Sequence, residues 1–183
     1  MEEIQKITGK NLIMCEGLDE KLFLCYYLNS EERINEDPRY STDVYVFDFG
    51  GIKDLKKQLK TIRSVPGFHD IKTLLILRDA EKDAQGAINQ VKKDLENTKF
   101  SAPEGVGEWS ETGNPRTAFM FFPALGKNPV DGTLEDMCIK MIKKVYQPGE
   151  VIDSFEKTMK NWKKRELEST HIHLKAKCMA FFR

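Results

Sequence analysis

The run Leu74-Leu75-Ile76-Leu77-Arg78 leads straight into three acids, Asp79, Glu81 and Asp83. Carboxylates crowded this closely repel one another unless a cation or a proton sits between them. A second apolar run, residues 11–15, ends in Glu16, and Glu20 follows four residues later. A helix starting near Asp19 would hold Glu20 in its first turn, leaning over the same place. Oxygen donors gathered from separate segments suit a hard divalent cation such as magnesium, or manganese in its stead. Magnesium binds through one or two carboxylates plus a substrate phosphate, so the chemistry implied is phosphoryl transfer.

Other uses for these acids are simpler. Glu16 at a strand end also stabilises a following helix N-terminus, and at least one of Glu81 and Asp83 is the cap or first-turn acid of the next helix. Asp48 is read as a cap ahead of Gly50-Gly51, which lacks the third glycine and the lysine of the known phosphate loops. Glu135 and Asp136 read as helix-start acids on sequence alone. His171 and His173 stand two apart and point to different helix faces, so they make no metal pair. The basic run Lys163-Lys164-Arg165 reads as a solvated helix face, and residues 119–122 as core strand.

The elements that must position these groups alternate. Strands are expected at residues 11–15, 44–49, 74–77 and 117–122, apolar or rich in β-branched and aromatic residues. A helix opens at about Leu18, with Leu22, Phe23, Tyr26 and Tyr27 at helical spacing and Asp19 placed to cap it. The next covers 53–63 with Ile52, Leu55, Leu59 and Ile62 inward. The third covers 84–95, and a fourth runs from 133 to 145. Asp37-Pro38, Pro66-Gly67 and Pro148-Gly149 are breaks, and residues 99–115 form a loop. Two more helices are expected at 150–168 and 170–182. Strands buried on both faces and alternating with helices predict an α/β three-layer sandwich with a mainly parallel four-stranded sheet, Rossmann-like, plus extra C-terminal helices. The chain reads as one domain over 1–183, with a core at about 11–146 and a helical extension at about 150–183. Clefts in such sheets form outside the carboxyl edge of the strands, where Glu16 and Asp79 fall.

Lysine plus arginine equals aspartate plus glutamate at 29 each, so no net field advertises a nucleic-acid or membrane partner. No apolar run reaches the ~20 residues that cross a bilayer. The acidic Met1-Glu2-Glu3 is unlike a signal peptide, so the expected location is the cytoplasm. Cys15, Cys25, Cys138 and Cys178 lack metal or disulfide spacing and read as reduced, buried thiols.

Glu16-Gly17-Leu18-Asp19-Glu20 after one strand and Asp79-Ala80-Glu81 after another resemble the topoisomerase–primase (TOPRIM) domain. Closer still, the chain resembles the small stand-alone bacterial TOPRIM-like proteins of uncharacterised function related to the overcoming-lysogenization-defect nucleases. Gly132-Thr133-Leu134-Glu135 resembles a later motif of that branch, and Lys175 or Lys177 matches its C-terminal lysine. The likeness covers residues 11 to about 145 and, more loosely, the last helix. It implies Glu16 as general acid/base or metal ligand, Asp79 and Glu81 as magnesium ligands, and Glu20 and Glu135 as candidates for a second ion. Lys175 or Lys177 would offset developing charge. The family usually has aspartate where Glu81 stands; the longer side chain changes ligand reach, and Asp83 is a substitute.

The expected function is therefore magnesium-dependent hydrolysis of nucleic-acid phosphodiesters. The balanced charge and the absence of the nucleases' ATPase imply a separate partner, an ATPase or another protein, for targeting. The alternative is a non-catalytic module of the same fold that binds a nucleotide or a protein. A receiver-like domain is disfavoured, because receivers carry an acid pair after the first strand where this chain has the single acid Glu16 followed by Gly17.

Overall fold

The computed structural model describes residues 6–30 and 44–145. In chain order the elements are β1 (Asn11–Cys15), α1 (Leu18–Ser30), β2 (Val44–Asp48), α2 (Leu55–Ile62), a 3₁₀ turn (Phe68–Asp70), β3 (Thr73–Asp79), α3 (Ala84–Asn97), β4 (Arg116–Phe122) and α4 (Leu134–Val145). The four strands form one sheet in the order β2-β1-β3-β4, and every pairing is parallel. The fold is α/β, as the alternation of buried strands and amphipathic helices requires.

Strand order dictates where the helices go. The chain steps from β1 outward to β2, then reverses past β1 to β3 and on to β4. Right-handed crossovers therefore place α1 on one face and α2 and α3 on the other. α1 lies against β1 and β2, and α2 packs on α3. The second face holds the main core: Leu12 and Met14 of β1 and Leu74 and Ile76 of β3 meet Leu55, Leu59 and Ile62 of α2 and Val91 and Leu95 of α3. Each such aliphatic side chain contributes about 1.5–3 kcal/mol by leaving water.

One expectation about a helix face needs correction. Ile52 was expected on the inner face of α2, yet it is 39% exposed, because the helix starts only at Leu55. In α1 the helical spacing of Leu22, Phe23, Tyr26 and Tyr27 does not mark the buried stripe: Tyr26 and Tyr27 are exposed while Glu20, Leu24 and Cys25 are buried. The stripe from Glu20 to Leu24 is what turns toward the sheet. Phe23 reaches Phe122 edge-on at 6.1 Å and stacks on Tyr27 at 6.4 Å.

The stretch after α3 is irregular, as expected for residues 99–115, and it covers the free edge of β4. The Gly107 and Ser110 N–H groups donate to the carbonyls of Phe119 and Thr117, and the Thr117 hydroxyl donates to the Ser101 carbonyl. Cys15, Cys25 and Cys138 are buried. No helix among the described residues is long and apolar enough to cross a membrane.

By internal contacts the chain divides into Met1–Met137 and Cys138–Arg183. The first unit contains the sheet with α1 to α3 and the start of α4; of the second, only the rest of α4 is described. The expected helices at 150–168 and 170–182, with Lys163-Lys164-Arg165, His171, His173, Lys175, Lys177 and Cys178, lie outside the described residues, as does Asp37-Pro38.

Candidate functional site

The connection that reverses direction passes over β1, so β1 and β3 lie side by side while the chain leaves them toward opposite faces. Crevices outside the carboxyl ends of strands open at such a switch point. Cys15 of β1 stands level with Leu77 of β3, so Glu16, one residue on, comes level with Arg78. Alternation along β3 then separates two groups of charge. Arg78 shares a face with Leu74 and Ile76, toward α2 and α3, while Asp79 points to the α1 side.

On the first side, Arg78 is only 1% exposed. Its Nε lies 3.6 Å from Glu16 Oε2 and donates to the Asp79 carbonyl at 3.3 Å. The Asp79 backbone amide favours the charged form of Glu16. Glu16 Oε2 and Arg78 Nη1 meet no hydrogen-bond partner among the described residues. Burial raises the Glu16 pKa, Arg78 opposes the rise, and the charges of Glu20 and Glu81 add to it. Burial likewise lowers the Arg78 pKa, against Glu16, Glu81, Asp79 and Asp94, which favour its charged form.

On the other side, Asp79 Oδ1 accepts the Leu134 N–H at 2.9 Å, at the start of α4. That bond favours the carboxylate, yet burial together with the charges of Glu20, Glu135 and Glu16 outweighs it. The pKa is pushed up to about 8. Glu20, 7% exposed, folds back over the tip of β1: a Cβ at Gly17 would sit 3.0 Å from Glu20 Oε2. Glycine at 17 thus leaves room for this acid. Burial is also the main cause of the raised pKa of the Cys15 thiol, with Glu20 and Asp48 adding to it, so Cys15 is no ready nucleophile.

The turn after β3 is tied to the turn before α4. Glu81 and Gly132 exchange backbone hydrogen bonds of 2.9 and 2.6 Å. Glu81 is exposed and has φ +56, a left-handed conformation that costs a non-glycine residue about 1 kcal/mol. Gly132, at φ +136, has no room for a Cβ against Pro123 and Asp136. Ala84 N–H donates to Asp131 Oδ1 at 2.9 Å. So Asp79 receives the first amide of α4 while Asp131 receives the first amide of α3.

The structure brings Glu16, Glu20 and Asp79 together, with Glu135 and Glu81 near enough to bear on their charge. It does not bring in Asp83. That side chain caps α3, accepting the Gly86 N–H at 2.8 Å, which is the simpler use foreseen for one of the pair. Asp83→Ala is expected to cost about 1 kcal/mol in urea unfolding and to leave divalent-ion affinity unchanged. Asp136 accepts the Thr133 N–H at 2.9 Å. Asp48 does not cap α2, which begins too far on; it pairs with Lys21 of α1 at 3.4 Å. Asp19 lies in the first turn of α1, not ahead of it.

Sequence reasoning passed over Arg78 and Asp131. A cation in a strand buried on both faces must find acids, so the strand's own alternation was the signal for Arg78. Nothing local signals Asp131, whose partner is 47 residues away.

Among the described residues no three His, Cys, Asp or Glu side chains form a ready-made metal cage. Magnesium needs none, since it keeps waters and takes one or two carboxylates. The unsatisfied Glu16 oxygen and the crowding on Asp79 fit a cation of that kind, with Asp79, Glu20 and Glu135 as the residues that could hold it. A polar cavity of about 400 Å³ lined by Glu104, Glu108 and Trp109 lies in the loop after α3, apart from these acids.

No curated protein and no solved structure matches the chain. A family profile described as "Protein of unknown function (DUF3226)" matches residues 10–182. A single family thus spans the sheet, its acidic edge and the C-terminal residues, and the chain belongs to the DUF3226 family.

Proposed function

We propose that the protein is a TOPRIM-like, magnesium-dependent phosphoryl-transfer protein that hydrolyses nucleic-acid phosphodiesters at the carboxyl edge of its sheet. One observation carries this reading: Glu16 and Glu20, from the β1–α1 stretch, and Asp79, from the end of β3, meet at the switch point, where burial and the neighbouring acids push Asp79 to about 8. Asp79 would hold the cation together with Glu20 or Glu135, keeping Oδ1 on the Leu134 amide. Magnesium or manganese, when bound, supplies Lewis-acid polarisation of a phosphoryl oxygen and lowers the pKa of a ligated water. Glu16, whose raised pKa moves it toward the range where it can take up and return a proton, serves as general acid/base. Lys175 or Lys177 offsets the charge that develops on phosphate, a role carried over from the resemblance alone. With no net charge to gather nucleic acid, targeting falls to a separate cytoplasmic partner, an ATPase or another protein.

The Glu16–Arg78 pair favours a second reading. A carboxylate already facing a buried guanidinium suits a non-catalytic module that binds nucleotide or a protein. Calorimetric titration with Mg2+ of the wild type and Asp79→Ala, followed by nicking of supercoiled plasmid with Mg2+ or Mn2+, separates the two. Binding and nicking by the wild type, both lost in Asp79→Ala, are the expected result. Binding without nicking supports the module, and no binding at millimolar Mg2+ contradicts both the metal site and the hydrolase.

A further inference from the structure

Arg78 has the largest fully buried side chain among the described residues. A guanidinium is costly to bury, and one retained only for a salt bridge normally closes a two-pronged clasp on its carboxylate. Arg78 does not. Its Nε stands 3.6 Å from Glu16 Oε2, beyond hydrogen-bond reach, and its Nη1 and that Glu16 Oε2 are both unsatisfied among the described residues. The acids that bear on it are Glu16, Glu81, Asp79 and Asp94. Of these, Asp94 is on α3 and accepts from Gln90 at 3.0 Å, and the other three belong to the sheet edge. A fixed positive charge thus stands within the acidic cluster, on the Glu16 side, while Asp79 and Glu20 crowd each other on the opposite side.

We propose that Arg78 is a built-in cation that takes the place of a second metal ion beside Glu16, so that the site accepts one divalent ion, on the Asp79–Glu20 side. This rests on the phosphoryl-transfer reading and narrows it, since a site with two ions was the resemblance's implication.

The test is Mn2+ binding to the full chain by calorimetry, with electron paramagnetic resonance counting bound ions, for the wild type, Arg78→Lys and Arg78→Gln. Circular dichroism establishes that each variant is folded. The wild type is expected to take one ion per chain, and Arg78→Lys, which keeps the charge, also one. Arg78→Gln is expected to take two, the first bound about tenfold more tightly once the opposing charge is gone. Two ions in the wild type overturn the proposal while sparing the metal-site reading, and need no variant to be seen. So does one ion in Arg78→Gln at unchanged affinity. No ion in the wild type but one in Arg78→Gln supports the role of Arg78 and sinks the magnesium reading; no ion in either sinks both.

Discussion

At pH 8, Asp79→Asn is expected to be more stable than the wild type, by about 3 kcal/mol, although it alters a residue at the centre of the site. Asparagine keeps a carbonyl oxygen for the Leu134 N–H that Asp79 Oδ1 accepts at 2.9 Å. What it removes is a charge forced into a buried, acid-lined place. With a pKa moved from its ordinary 3.8 to about 8, folded Asp79 holds a proton that the unfolded chain releases. The unfolded state therefore binds fewer protons between those values, and wild-type stability falls as pH rises through that window. The advantage of Asp79→Asn is greatest near pH 8 and vanishes toward pH 4. Glu16, whose pKa is also raised, contributes a slope of the same sign that the substitution leaves in place. Urea unfolding at several pH values checks this: a variant less stable than wild type at pH 8 contradicts the crowding. Added Mg2+ should stabilise the wild type at pH 8 and leave Asp79→Asn unmoved.

The second large effect concerns Arg78. Arg78→Met is expected to cost about 3–5 kcal/mol in the absence of metal, because it strands a buried acid without its counter-charge. The double variant Arg78→Met, Glu16→Gln should recover most of that loss, since asking less of a buried site is often neutral once both charges are gone. A double-mutant cycle by urea unfolding measures the coupling. Additive losses would mean that Arg78 and Glu16, 3.6 Å apart at Nε and Oε2, do not stabilise each other.

Both expectations depend on features of unequal visibility in the sequence. The strands were legible because each is a short apolar run buried on both faces. Their parallel pairing followed from the helices between them. That Glu16 and Asp79 share an edge then followed from chain direction alone. The details were set by tertiary contact. α1 is apolar on more than one side, so its spacing did not reveal that Glu20 and Leu24 face the sheet while Tyr26 and Tyr27 face water. Asp83 and Glu81 stand two apart, and only the turn geometry showed that the first caps α3 while the second is held by Gly132. Arg78 looked like the first polar residue past a strand. It is in fact the strand's penultimate residue, and it is fully buried.

The central claim is that acids from separate segments gather at one sheet edge and receive a divalent ion there. Paramagnetic broadening by Mn2+, added below one equivalent and read on the backbone amides by nuclear magnetic resonance, tests it most directly. Gly17, Ala80 and Leu134, which flank Glu16, Asp79 and Glu135, are predicted to broaden first, with nothing comparable at Glu104, Glu108 or Glu111. Broadening centred on those loop glutamates instead, or spread evenly over the surface acids, would contradict it.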